Sequence, residues 1–141
     1  LMSKIYDNYI HLKSNDDGNT LYLFKYGIFF IFIDEDANIA SNILNLKLSH
    51  LNDTIVKCGF PVNSLEKYIK LLQTTSYSVQ IVYSNYNNTL SPSEFIYNES
   101  LKSLVNSIIQ LDIDSLSISE AFEFLHTTQN KIKSITNTSS V

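Results

Sequence analysis

The sequence predicts an α/β (α+β) domain, a β-sheet flanked by helices, followed by a small helical appendage; three patterns carry that expectation. Leu21 to Ile33, LYLFKYGIFFIFI, is almost continuously apolar and rich in aromatic and β-branched residues, which suits a strand or a hairpin buried on both faces. Two segments between Asp34 and Leu72 then repeat apolar residues at helical spacing, and Tyr77 to Tyr83 alternates as a strand. From residue 98 onward only helical spacing remains.

Each element has a local cause. Tyr26-Gly27 interrupts the first apolar run where a bulge or a tight bend fits. Asp34 is placed to cap the next helix, with Glu35 and Asp36 in its first turn and Ala37, Ala40, Ile43 and Leu44 as its apolar stripe. Leu46 to Leu51 reads as a short strand. Asn63 and Glu66 have the spacing of a capping box ahead of Leu65, Tyr68, Ile69 and Leu72. In the closing strand Tyr77, Val79, Ile81 and Tyr83 share one side. The polar stretch SNYNNTLSPS marks a change of organisation. The expected division is residues 1–84 as the α/β domain, 85–97 as linker, 98–135 as the helical segment and 136–141 as a frayed tail. Leu101, Leu104, Val105, Ile108 and Leu111 mark the first of the late helices. Ser117 and Glu120 form a second capping box before Ala121, Phe122, Leu125 and Ile132.

The 141 residues suffice for a core that buries roughly two thirds of the unfolded surface. With 44% hydrophobic and 17% charged residues, the composition is that of an ordinary globular chain. No apolar run has the length of a spanning helix, so a soluble, cytoplasmic protein without membrane contact is expected. Cys58 is the only cysteine, which rules out an internal disulfide. The formal charge of -4 opposes the basic footprint usual in nucleic-acid binding, and all ten basic residues are lysines, which lack the arginine fork that reads guanine. The three glycines, Gly18, Gly27 and Gly59, are too dispersed for a phosphate cradle, and no G-x-x-x-x-G-K-[ST] occurs. His11, His50 and His126 fall on separate elements with no metal-binding pair among them. The acidic run Asp34-Glu35-Asp36 is better explained by helix-start charge than by Mg2+ or Ca2+ binding. A non-enzymatic protein with no cofactor and no metal is the expectation.

Leu21 to Asn45 resembles the opening block of the mismatch-recognition domain of the MutS DNA mismatch-repair family, whose strand runs through Gly-Asp-Phe-Tyr-Glu to an Asp-Asp-Ala helix start. Gly27, Phe29, Asp36 and Ala37 fall on matching positions, while Ile28 stands where the family has Asp and Ile31 where it has Glu. Ile55 to Pro61, IVKCGFP, resembles the family's Ala-Gly-Ile-Pro turn, with Gly59 and Pro61 matching, and Glu66-Lys67-Tyr68-Ile69 resembles its Glu-x-Tyr-Leu, so the resemblance implies a turn there. This resemblance covers about Tyr9 to Tyr83 and implies a MutS domain I-like mixed sheet. Leu111-Asp112-Ile113-Asp114-Ser115-Leu116-Ser117, followed by Glu120-Ala121-Phe122, resembles the Leu-Asp-x-Asp-x-Leu-Thr-Pro-x-Glu-Ala-Leu signature that ends the family's ATPase domain. There a helix-turn-helix supports dimerisation, which implies the same appendage here. The connector, lever, clamp and ATPase parts have no counterpart in this sequence.

In that family the Phe stacks on a mispaired base and the Glu hydrogen-bonds it. Phe29 retains the first group, and Ile31 replaces the second by a hydrocarbon that cannot recognise a base edge. Phe29, Phe30 and Ile31, with Lys13 and Lys25, are therefore the candidate contacts to DNA or to a protein partner. Leu101, Leu104, Ile108, Phe122 and Leu125 are the candidates for a homodimer or partner interface. The expected function is that of a MutS-like accessory protein in recombination or repair, acting through protein contacts, with a recombinase of a bacterial mobile element or a MutS-type protein as partner. The alternatives are a DNA binder that uses Phe29 as a wedge and Lys4, Lys13 and Lys25 on the backbone, and a competitor of full-length MutS dimerisation. Any DNA contact is expected to be weak and not mismatch-specific.

Overall fold

A computed structural model describes residues 2–83 and 88–139. The chain divides into two compact units, residues 1–92 and 93–141. The first unit is built on α1 (Met2–Ser14), β1 (Thr20–Tyr26), β2 (Phe29–Ile33), α2 (Asp34–Leu44), β3 (Ser49–His50), β4 (Val56–Pro61), α3 (Leu65–Leu72), β5 (Ser78–Tyr83) and β6 (Asn88–Leu90). Its six strands form one mixed sheet in the order β3-β4-β2-β1-β5-β6. β1 pairs antiparallel with β2 and parallel with β5. The MutS domain I-like α/β class read from the sequence is the class observed.

The Leu21–Ile33 run is a hairpin, closed at Gly27 and Ile28 with Gly27 at φ 61°, a conformation glycine adopts without steric penalty. β1 and β2 are the two central strands, and side chains on alternate faces feed two separate cores. On one face Tyr22, Phe24, Ile31, Ile33 and Val82 cluster with Ile5 and Tyr9 of α1 and with Leu51 and Ile55. On the other, Phe30, Phe32, Cys58 and Phe60 meet the α2 and α3 side: Cys58 Sγ donates to Ala37 O at 3.4 Å, and Phe60 stacks on Tyr68 with ring centroids 4.4 Å apart. α1 was not marked by the sequence reading, although Ile5, Tyr9 and Leu12 have the spacing of one helical face.

Several local expectations are corrected. Ile55 to Pro61 contains strand β4 rather than a turn, because the central strand β2 needs an antiparallel neighbour on its second edge. The strand expected at 46–51 shrinks to Ser49–His50. The Asn63–Glu66 capping box does not form: Val62–Ser64 is a 3-10 turn, and no side chain caps α3. Asp34 does not cap α2 either; it opens the helix at φ 55°, behind the extended Ile33. Burial in β5 centres on the adjacent Ile81 and Val82, since the sheet is covered on both faces, not on the Tyr77-Val79-Ile81-Tyr83 side.

In the second unit α4 (Pro92–Ile109) and α5 (Ile118–Ser139) flank a 3-10 turn at Ile113–Ser115. The expected linker therefore holds β6 and the first turns of α4, with Pro92 at the helix start where a missing N–H costs nothing; residues 84–87 lie outside the described residues. The expected tail is helical as far as Ser139, and residues 140 and 141 lie outside the described residues. The α5 capping box forms as read: Ser117 N–H donates to Glu120 Oε1 and Glu120 N–H to Ser117 Oγ, both at 3.1 Å. The Ser117 N–H, and after it the Ser117 hydroxyl, hold the Glu120 carboxyl below its ordinary pKa. Among the described residues no helix is long and apolar enough to cross a membrane.

Candidate interaction site

The hairpin end carries an apolar tip. Strand register aligns Tyr26 with Phe29 and Phe29 with Pro61, so these side chains form a row across β1, β2 and β4 on one face. Phe29 is 45% exposed and Ile28, at the turn, 75% exposed. Val62 N–H donates to Ile28 O at 2.9 Å and fixes the turn against the end of β4. Tyr26 is partly buried against the cluster beneath. No carboxylate occurs between Thr20 and Ile33. The tip is thus an aromatic and aliphatic surface, with Lys25 the one charged residue of the hairpin.

The other candidates on this hairpin separate from Phe29. Phe30 is fully buried on the opposite face, with its ring centroid 5.9 Å from that of Phe60. Ile31 shares the face of Phe29 but is buried in the α1-covered core. Both residues, read as candidate contacts to DNA or a partner, are buried among apolar neighbours. Lys25 alternates onto the face opposite Phe29, and its Nζ donates back to Gly27 O at 3.2 Å.

Lys13 is engaged internally. Its Nζ donates to Thr20 O at 2.8 Å and to Asp36 Oδ1 at 2.9 Å, lies 3.6 Å from Asp16 Oδ2, and sits 5.7 Å from the Tyr22 ring centroid. Asp36 is completely buried and its second oxygen accepts from Tyr22 N–H at 2.9 Å. The residue read as helix-start charge is therefore a buried tie between α1, β1 and α2. Burial pushes the Asp36 carboxyl up against the opposing pull of Tyr22 N–H and Lys13. Burial works against the Lys13 ammonium, but the bond to Asp36 and the charges of Asp36 and Asp16 hold its pKa above the ordinary lysine value. The sequence signal for the tie is weak: a lysine at the end of one amphipathic helix and a carboxylate in the first turn of another.

Burial also raises the Cys58 thiol to about 11 from 9.0. Both Cys58 and Lys13 keep their protons to higher pH in the folded state than in the unfolded one. Stability is therefore expected to fall as pH rises through about 9 to 11. Urea denaturation across this range should show the decline, with Cys58→Ala flattening its first part.

The helical candidates divide as well. Leu104 is buried in α4 and Leu101 partly so, whereas Ile108 is 49% exposed. On α5, Phe122 is 72% and Leu125 67% exposed. Among the described residues no three His, Cys, Asp or Glu side chains converge to hold a metal ion.

The site is thus an exposed apolar hairpin end on a mixed sheet, with a buried Asp in the first turn of the following helix. Comparison with protein families matches MutS domain I over residues 4–110, well over half of the chain, and the chain belongs to that family. Among curated proteins it is similar to the DNA mismatch repair protein MutS of Rickettsia typhi, 40% identical over 65 residues, covering 43% of this chain and 7% of that protein. The MutS of Leptospira interrogans is 33% identical over 66 residues, covering 47% and 8%. That of Staphylococcus saprophyticus is 34% identical over 77 residues, covering 52% and 9%. The matched segment thus spans under a tenth of the length of these relatives.

Proposed function

We propose that this chain is a non-enzymatic accessory module of MutS type that docks on a protein partner in recombination or repair through its hairpin tip, and self-associates through its C-terminal helices. The exposure of Ile28 at the turn and of Phe29 beside it, on an apolar hairpin end without a carboxylate, carries the reading. Interface cores are depleted in charge and enriched in aromatics, and this tip has that composition. Base stacking needs backbone contacts beside the wedge to offset unstacking. Lys13 is held by Asp36, and Lys25 lies on the other face, so neither accompanies Phe29. A MutS-type protein and a recombinase are the partners to test, and competition with full-length MutS for its own dimer contact is one form the docking can take.

A second reading, direct DNA contact, is favoured by one observation: Phe29 occupies the position of the family's stacking Phe and is exposed. A photo-crosslinking amino acid at position 28, introduced in the native cell, separates the two. A protein adduct absent from the same probe at exposed Ile10 supports docking. Adducts with nucleic acid alone support the second reading.

A further inference from the structure

We infer that the link between Asp17 and Gly18 is a modification site, which closes to a succinimide and reopens as isoaspartate, and that Asp16 holds it in check in the folded chain. Of the three glycines only Gly18 follows an Asp or an Asn. It has no side chain to keep its nitrogen from the Asp17 carboxyl. Gly18 lies at φ 79° in the loop between α1 and β1, with nothing within 4 Å of where a Cβ would stand. Both residues are exposed to the water that the reaction needs.

The chemistry is complete within the chain and water. Gly18 N attacks Cγ of the protonated Asp17 carboxyl; the N–Cγ bond forms, the bond from Cγ to the hydroxyl breaks, and the amide proton leaves with that hydroxyl as water. A second water then opens the ring. Cleavage of the N–Cγ bond restores aspartate, whereas cleavage between Gly18 N and the main-chain carbonyl carbon of Asp17 leaves the chain running through the side chain, as isoaspartate.

Two sets of contacts oppose the first step. Gly18 N–H donates to Asp16 Oδ1 at 2.9 Å, which engages the nucleophile. Asp17 Oδ1 accepts from Asn19 N–H at 2.9 Å and from Thr20 Oγ1 at 3.3 Å, which binds that carboxyl to the residues beyond Gly18. Asp16 is itself anchored: its side chain is 7% exposed and its Oδ2 lies 3.6 Å from Lys13 Nζ. The lock is therefore a buried carboxylate beneath an exposed bond. Isoaspartate would add a methylene to the main chain just ahead of Asn19, whose O accepts from Ser78 N–H at 3.0 Å, and Thr20, whose O accepts from Lys13 Nζ at 2.8 Å. The modification thus loosens the same end of α1 that Lys13 and Asp36 tie down.

The test is to age the full chain at neutral pH, folded and in urea, and to score the tryptic peptide from Ser14 to Lys25 for isoaspartate by mass spectrometry with electron-transfer fragmentation. Residue 17 should isomerise at least about tenfold faster in urea than in the folded chain. Asp16→Ala, shown folded by circular dichroism, should gain about tenfold over the folded wild type, the effect of releasing one charge-assisted hydrogen bond. Asp16→Asn, whose amide oxygen can still accept from Gly18 N–H, should stay near the wild-type rate. No isoaspartate at residue 17 in urea overturns the site. Equal rates folded and in urea, or an Asp16→Ala rate equal to wild type, overturn the lock. The ratio of the two wild-type rates reads the protection even if Asp16→Ala does not fold.

Discussion

Lys13→Ala is expected to destabilise the first unit by about 3 kcal/mol or more, because it leaves a fully buried carboxylate without its cation. The Lys13 side chain is 23% exposed, which places the effect at the lower end of what breaking a buried pair costs. Asp36 keeps its bond from Tyr22 N–H, so the fold has one remaining compensation. Asp36 is already harder to ionise than an ordinary Asp, and it can escape the penalty by taking up a proton. The loss in Lys13→Ala should therefore shrink in acid and grow as pH rises through the Asp36 titration. Adding Asp36→Leu to Lys13→Ala should recover part of the stability, which two independent sites would not do. Urea denaturation of the four proteins at pH 4.5 and pH 7 measures both effects. A loss below about 1 kcal/mol at pH 7 would show the tie to be a surface pair of the ordinary kind.

Gly59→Ala should cost about 3 kcal/mol, the upper end of overpacking penalties, and Gly59→Val should prevent folding. A Cβ on Gly59 would overlap the carbonyl oxygen of Phe30, and would lie 3.0 Å from Ile31 Cγ2 and 3.2 Å from Ile31 Cα. Two of those three neighbours are backbone atoms of the central strand β2, which cannot rotate away. β4 would have to separate from β2 in the stretch that pairs Phe30 with Phe60 and Ile31 with Gly59. The thermal midpoint of Gly59→Ala against wild type reads this directly. Retention of the wild-type midpoint would contradict the close approach.

The class of the fold was legible because its central elements obey simple patterns. The Leu21–Ile33 run is long, apolar and broken at a glycine, and only a buried hairpin uses all three properties. The Ser117–Glu120 box was legible because capping is a local interaction at fixed spacing. The same spacing failed at Asn63–Glu66, where the end of β4 feeds a 3-10 turn and sets the helix start instead. β4 was hidden because the resemblance marked Ile55 to Pro61 as a turn, whereas Val56–Pro61 pairs with β2 as a strand. At the candidate site, Phe29 was legible from the family motif, whereas the loss of Lys13 and Lys25 as its companions was not. The first depends on a contact across 23 residues of sequence, and the second on which face the pleat assigns to Lys25.

In the function proposed above, the hairpin tip has exchanged base recognition for apolar docking. Fluorescence anisotropy of the chain with homoduplex DNA and with G·T-mismatched or single-base-bulged DNA, at physiological salt, tests this most directly. Ile31 is buried hydrocarbon where the family places an acceptor, and the net charge of -4 opposes phosphate approach. Equal, weak signals on all three duplexes are the result expected, unchanged in Phe29→Ala. A tenfold preference for the lesion, about 1.4 kcal/mol, abolished by Phe29→Ala, would contradict the docking account and establish Phe29 as a wedge.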